Sequence, residues 1–245
     1  MKLFEDVIRE LRTWMDGMKA SVHGYAEHAV GAISWPEGER GNIVMQSDTA
    51  IELGNPRDES VSFLVWSPHD ELIRNGITTV IGPDVSSFSG ANLPFGKVVL
   101  IGVEGFTDDN CYERHREIEI ARYGMNLKGY MIRAVSQYMR EWSRISREAI
   151  AEGFSLRVLS SALMETYRKL AYVKSVETLF VTSSPADVRS LRPIGERAAR
   201  LIAAMNKMAQ ELSFDCSTCD YTDVCSEVDA LKSMRQSMKK EGANG

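Results

Sequence analysis

Apolar residues recur every three or four positions near the start of the chain, at Leu3, Val7, Leu11, Trp14, Met15 and Met18, which predicts an amphipathic helix over residues 2–22. The pattern then changes. Short runs of β-branched and aromatic residues, bounded by Gly, Pro, Asn or Asp, predict strands at Asn42–Gln46, Val61–Trp66, Thr78–Ile81 and Lys97–Val103. The stretch 82–96 is rich in Gly and Ser and predicts a loop, a solvated connection rather than a lid.

From Leu127 the helical period returns. Leu127, Met131, Val135, Tyr138, Trp142, Ile145 and Ala149 step by three and four and predict one long helix ending at Gly153, the residue beyond its C-cap. Ser155 is placed to cap a second helix with Leu156, Leu159, Leu163, Tyr167 and Leu170 turned inward. A buried strand, Val176–Thr182, follows. A third helix from about Gly195 to Leu212 turns Ala198, Leu201, Ile202, Met205, Ala209 and Leu212 to the core. Strands first, then long helices with one late strand, predict an α/β or α+β fold: a mixed sheet from the N-terminal half packed by helices from the C-terminal half. The chain reads as a single domain over 1–245, any division falling near residue 123, with a cysteine-bearing module and terminal helix over 213–245.

That module carries the strongest chemical signal. Three of the four cysteines fall in the run Cys216-Ser217-Thr218-Cys219-Asp220-Tyr221-Thr222-Asp223-Val224-Cys225. A Cys-x2-Cys loop turns two thiolates toward one point, and a cysteine six residues on supplies a third corner. Residues 226–238 have helical spacing, which puts Cys225 at a helix start whose free N–H groups favour an anionic sulfur. Asp215, Asp220 and Asp223 raise the thiol pKa values, so a bound cation suits the cluster better than free thiols do. Cys111 lies about a hundred residues upstream. If the fold returns it to the other three, Cys111, Cys216, Cys219 and Cys225 satisfy the ligation of a [4Fe–4S] cluster. If it does not, His115 or water completes a three-cysteine site, for which zinc is the rival metal. The plainest alternative is ordinary reduced thiols with no metal.

Composition narrows the setting. At 245 residues, 44% hydrophobic and 26% charged, the chain has the make-up of a globular protein. No run approaches the roughly 20 apolar residues of a membrane span. The first ten residues mix charge with apolar side chains and lack a signal peptide's apolar run, so a cytoplasmic location is expected. With 29 basic against 34 acidic residues and no basic block before Lys239-Lys240, neither nucleic acid nor membrane is an expected partner. The expected partner is another protein, a redox partner or complex subunit, with self-association left open. Neither a Walker motif nor Gly-x-Gly-x-x-Gly is present.

Other candidate residues have plainer readings. His69 sits beside Asp70 and Glu71, acid–base chemistry in principle, but Ser67-Pro68 ahead of it reads as a helix start. With Asp84 it is the candidate for a hydrolase or transferase site under the 82–96 loop. Cys111 and His115 share a face if their segment is helical. Arg140, Arg144 and Arg147 line one flank of the predicted long helix, where Glu141 and Glu148 make a self-neutralised, solvated face the expected arrangement. Met234 and Met238 read as a packing stripe.

The run Arg140-Glu141-Trp142-Ser143-Arg144-Ile145-Ser146-Arg147-Glu148-Ala149-Ile150-Ala151-Glu152-Gly153-Phe154-Ser155-Leu156, followed by Val176–Val181 and the cysteines, resembles the acetyl-CoA synthase family, the β subunit of the carbon monoxide dehydrogenase/acetyl-CoA synthase complex. Leu93-Pro94-Phe95-Gly96 extends the likeness upstream. The resemblance implies a role in anaerobic one-carbon and acetyl-CoA metabolism and a cluster on Cys216, Cys219 and Cys225. The family's first three cluster cysteines are spaced Cys-x2-Cys-x8-Cys, and a later Cys-Gly-Cys chelates nickel; here the spacing is Cys-x2-Cys-x5-Cys and no Cys-Gly-Cys occurs. The nickel chemistry is therefore not implied. One remote cysteine followed by Cys-x2-Cys-x5-Cys also resembles the iron–sulfur staple of RecB-type nucleases, which implies a structural cluster; the carboxylate pair and lysine that hold magnesium in those nucleases have no convincing counterpart.

Overall fold

The structure is a computed structural model and describes residues 2–22, 24–38, 49–136 and 139–210, together with 220, 221, 223, 224, 228, 231 and 233. It contains two mixed sheets and several helices, so the predicted α/β class holds. Helix α1 (Glu5–Ser21) buries Val7, Leu11, Met15 and Met18, the predicted stripe.

Five strands, β1 (Tyr25–Ala29), β4 (Ile77–Ile81), β9 (Val173–Val181), β6 (Phe95–Val103) and β3 (Ser60–Ser67), lie side by side in that order. β1 is antiparallel to β4 and β6 to β9, whereas β4–β9 and β6–β3 are parallel. β3 and β6 are buried along their whole length, as suits central strands covered on both faces. Phe95 and Phe180 stack across β6 and β9 with centroids 6.0 Å apart.

The second sheet runs β5 (Asn92–Leu93), β2 (Ala50–Leu53), β8 (Arg140–Ser146), β7 (Tyr130–Ser136). β2 ends at Gly54, whose φ of +62° and closeness to the Glu141 carbonyl leave no room for a Cβ. Here the predicted long helix over 127–153 is overturned. Those residues form the antiparallel pair β7–β8 and then a short helix, α3 (Arg147–Ala151). The inward face of β8 carries Glu141, Ser143 and Ile145, all buried. With two polar residues on the core side, alternating hydrophobicity disappears, and the outward Trp142 supplies a false helical step. A register shift between Ile132 and Ala134 blurs β7 further.

Gly153 nevertheless follows a helix C-terminus, at φ +106°, and the Ser155 hydroxyl accepts from Val158 N, capping α4 (Leu156–Arg168) as predicted. α4 packs on β9 and β4, with Ser160 bonded to Thr178 at 2.8 Å. Helices α5 (Pro185–Ser190) and α6 (Arg192–Gln210) lie against β3, and α2 (Cys111–Ala121) touches both α4 and α6. Strand Asn42–Gln46, the cysteine run at 216, 219 and 225, and Met234 and Met238 fall outside the described residues. Among the described residues no helix is long and apolar enough to cross a membrane.

Three further expectations change. The 82–96 stretch is a 3-10 turn (Val85–Ser87) followed by β5, paired with β2. Asp84 Oδ1 accepts from Leu156 N at 3.0 Å and helps start α4. The arginines of the predicted solvated flank are structural: Arg144 Nε bonds the buried Glu52 at 2.6 Å, Arg140 donates to the Asn55 and Pro56 carbonyls, and Arg147 donates to the Gly90 carbonyl at 3.0 Å. Glu141, expected on that flank, is fully buried.

Candidate metal centre and the adjoining cleft

Cys111 opens α2 and is completely buried, together with His115 and Ile118 one and two turns on, so the predicted shared face of Cys111 and His115 is real. The helix is anchored at its head. Arg114 lies over the Phe106 and Tyr172 rings, 5.5 and 5.0 Å from their centroids, and donates to the Gly105 carbonyl at 2.6 Å. Asn110 Oδ1 accepts from Thr107 N at 3.0 Å and closes the turn ahead of the helix.

The Cys111 thiol is pushed up to about 11 by burial, and next by the Asp108 carboxylate. The thiol donates to the Asp108 carbonyl at 3.6 Å, and the backbone N–H groups of Cys111 and Tyr112 act in the opposite sense on its pKa. The raised pKa keeps the buried thiol protonated; a metal cation would reverse that preference and displace the proton. In donor chemistry Cys111 therefore suits a cluster ligand. Among the described residues no three His, Cys, Asp or Glu side chains converge on a metal position, and three of the four sequence-predicted ligands lie outside them.

Residues on either side of Cys225 are held against the body. Val224 and Leu231 are buried in the core, Val228 packs against it, and Asp223 pairs with Arg200 of α6 at 2.5 Å. Val228 shares a hollow of about 230 Å³ with Leu3 and Val7 of the N-terminal turn. Phe4, in that same turn, lies 6.3 Å from the His115 ring. The N-terminal turn thus meets both the tail and the face of α2 that carries Cys111.

His115 faces the core rather than solvent. Trp66 Nε1 donates to its Nδ1 at 3.3 Å, which leaves the imidazole proton on Nε2. Burial holds its pKa below the usual histidine range, with Glu119 opposing and Arg122 adding to the shift. His69, the other singled-out histidine, is partly exposed, with Glu5 3.2 Å from Nε2 and Glu71 3.3 Å from Nδ1. The Ser67 hydroxyl accepts from its backbone N–H at 3.0 Å, ahead of a 3-10 turn, Asp70–Leu72. The helix start read from Ser67-Pro68 is thus only a 3-10 turn that begins at Asp70, with His69 rather than Ser67 at its N-cap, while Ser67 closes β3.

Sequence reasoning missed a group of buried charges behind α2. Lys97 on β6 and Glu141 on β8 are 2% and 0% exposed, with Lys97 Nζ 2.5 Å from Glu141 Oε1 and in contact with Oε2 as well. Ser62 donates to Glu141 Oε2 at 3.3 Å, and Ser143, itself bonded to Tyr130, donates to Oε1 at 3.4 Å. Burial outweighs the attraction of Glu141 and draws the Lys97 pKa below the lysine range. The signal available was a lone lysine inside the run Phe95-Gly96-Lys97-Val98-Val99-Leu100-Ile101, which in a central strand demands a buried carboxylate.

In front of these groups, α2, α6, β3 and β7 wall a cleft of about 600 Å³. Ser62, His115, Glu119, Arg122 and Asn206 supply its polar lining, while Phe63, Met139 and Ile202 supply apolar surface. Arg122 Nη2 bonds Glu119 at 3.0 Å; burial opposes the charged guanidinium, but Glu119 and then Glu141 raise its pKa above the usual value.

Residues 33–187 match the model of a family described as CO dehydrogenase/acetyl-CoA synthase complex beta subunit. None of the curated proteins matches the chain. The match includes Cys111, the Lys97–Glu141 pair and three walls of the cleft, and ends before α6 and the cysteine run. It also begins far upstream of the residues that carried the likeness in the sequence.

Proposed function

The chain belongs to the CO dehydrogenase/acetyl-CoA synthase complex beta subunit family, and from that membership we propose that it is an iron–sulfur protein with a redox or accessory role in anaerobic one-carbon and acetyl-CoA metabolism. The observation that carries this reading is the cysteine set. Cys216, Cys219 and Cys225 have cluster spacing, and Cys111 is a buried thiol on the α2 face that meets the N-terminal turn against which Val228 packs. Cys111, Cys216, Cys219 and Cys225 would hold one [4Fe–4S] cluster, which when bound supplies one-electron chemistry. The body of the protein contributes burial around Cys111, which keeps water from one side of the site. The family's description as a complex subunit supports a protein partner, a redox partner or another subunit. The four cysteines include no Cys-Gly-Cys, so nickel chemistry is not part of the proposal.

A second reading has its own support. Val224 and Leu231 are buried and Asp223 is paired with α6, so a metal at Cys216, Cys219 and Cys225, iron–sulfur or zinc, would staple the tail to the body without taking part in chemistry. Anaerobic purification with iron, zinc and sulfide analysis, and a spectrum before and after dithionite, separates the two. The expected result is about four irons and four sulfides per chain with a band that bleaches, and a loss of iron in Cys111→Ser as large as in Cys219→Ser. One zinc and no sulfide would leave only the staple; full iron content in Cys111→Ser would remove Cys111 from the site.

A further inference from the structure

Strand β3 ends the five-stranded sheet, so one of its long edges has no strand of that sheet beside it. Two backbone bonds fix which residues face that edge. The Glu59 carbonyl accepts from Phe95 N of β6, whereas Ser62 N donates to the Met139 carbonyl at 2.6 Å. Odd-numbered residues of β3 therefore turn their N–H and C=O groups toward β6, and even-numbered residues turn theirs toward the open edge. Met139 satisfies Ser62 N. The Leu64 N–H and carbonyl, and the Ser62 carbonyl, have no partner among the described residues, although both residues are buried. Buried backbone groups left in that state are rare.

The cleft lies along this edge. Ser62, Phe63 and Leu64 all line it, and because successive strand side chains point to opposite faces, one hollow touches all three only across the strand edge. The flanking helices agree with that placement: the Phe63 ring lies close to Gly195 of α6, and Trp66, on the other face of β3, bonds His115 of α2. Ala199 and Ala203, one turn apart on α6, also line the cleft, and their small side chains leave room for a second main chain beside β3.

The rim has the chemistry of a docking surface. Arg116 lines the cleft, is exposed and makes no ion pair among the described residues, while Glu119 is already bonded to Arg122 at 3.0 Å. One helical turn beyond Arg116 and Glu119 stand Ile120 and Tyr123, the two exposed large hydrophobic side chains among the described residues, at 58% and 56% exposure. An open strand edge beside exposed apolar side chains suits another polypeptide better than a compact metabolite.

We propose that the cleft receives a short extended segment of a partner protein, which adds to the edge of β3. Its main chain accepts from Leu64 N and donates to the Leu64 or Ser62 carbonyl, an acidic side chain meets Arg116, and apolar side chains rest on Ile120 and Tyr123. The inference is independent of the cysteines, since Cys111 is not among the cleft's described lining residues.

Panning a library of random short peptides over the full chain, with counter-selection on Ala203→Trp, tests the proposal. Ala203 is half-buried, so the indole fills the cleft without entering the core. The selected peptides are expected to carry an acidic residue among apolar ones, to lose binding in Ala203→Trp, and to bind about tenfold more weakly to Arg116→Glu, a change at an exposed position. Amide exchange supplies a readout that needs no variant: the Leu64 N–H should become protected when a selected peptide is added. Failure to select any peptide against Ala203→Trp, selection of basic peptides, or a Leu64 amide whose exchange the peptide leaves unchanged would overturn the proposal.

Discussion

The two sheets solve the same burial problem in opposite ways. The five-stranded sheet closes mainly with hydrocarbon: β3, β6 and β9 bury Val61, Val65, Val99, Ile101, Val176 and Phe180 almost completely, and its buried charges, Lys97 and Glu177, each meet a partner from another element. The four-stranded sheet closes with charge: β8 sends Glu141 inward to Lys97 and Arg144 to Glu52 of β2. Hydrocarbon packing is tolerant of exact pairing, whereas a buried ion pair is not. Slipping β8 by one residue would turn Glu141 outward and leave Lys97 buried without a partner. The charged pairs therefore act on register and on how the two sheets meet more than on net stability, and the cleft opens where that polar interior reaches α2.

That contrast can be broken from either side. The largest effect is expected in the hydrocarbon sheet: Phe180→Ala, which removes a fully buried ring stacked on Phe95, should cost about 3–5 kcal/mol in urea unfolding. Glu141→Gln should cost about 3 kcal/mol, the low end for a broken buried pair, because Lys97 can give up its proton. Replacing both partners, Lys97→Met with Glu141→Leu, should cost less than about 1 kcal/mol or stabilise the chain. A double variant as damaged as Glu141→Gln would show that the pair contributes more than mutual neutralisation.

The smallest effect concerns pH. Burial depresses the His115 pKa in the folded state, while the unfolded chain takes up a proton near the ordinary value of 6.5. Below that value the unfolded state binds more protons, so the contribution is fully present above pH 6.5 and is lost as pH falls toward the depressed folded value. Glu119 and Arg122 face the same imidazole and moderate the slope in opposite senses. Stability compared at about pH 7.5 and 5.5 should fall in the parent chain and fall less in His115→Gln. Equal slopes would mean that His115 is not held neutral in the fold.

Legibility followed the same divide between the sheets. Where burial is mainly apolar, the period of the side chains declares the element, and α1, β3, β4, β6, β9, α4 and α6 all lie within a few residues of their predicted places. The Gly153 and Ser155 signals were also correct, because caps depend on neighbouring backbone alone. Where the core side of a strand is polar, as at Glu141 and Ser143, the hydrophobic pattern loses its period and a hairpin passes for a helix. Cys111 and His115 were legible as candidates from residue type and spacing, whereas Arg122 and Asn206 carry no local signal.

The sequence by itself determined the local elements, the helix boundaries and the cysteine spacing, since each depends on residues close together along the chain. Only the tertiary structure decided that Lys97 meets Glu141 across 44 positions, that Arg144 belongs to Glu52, and that α2 and α6 enclose a cleft lined by Arg122 and Asn206. The reason is physical: a hydrophobic residue announces burial by its own chemistry, but a charged residue is buried only if a distant partner arrives, and nothing in its neighbourhood along the chain records that partner.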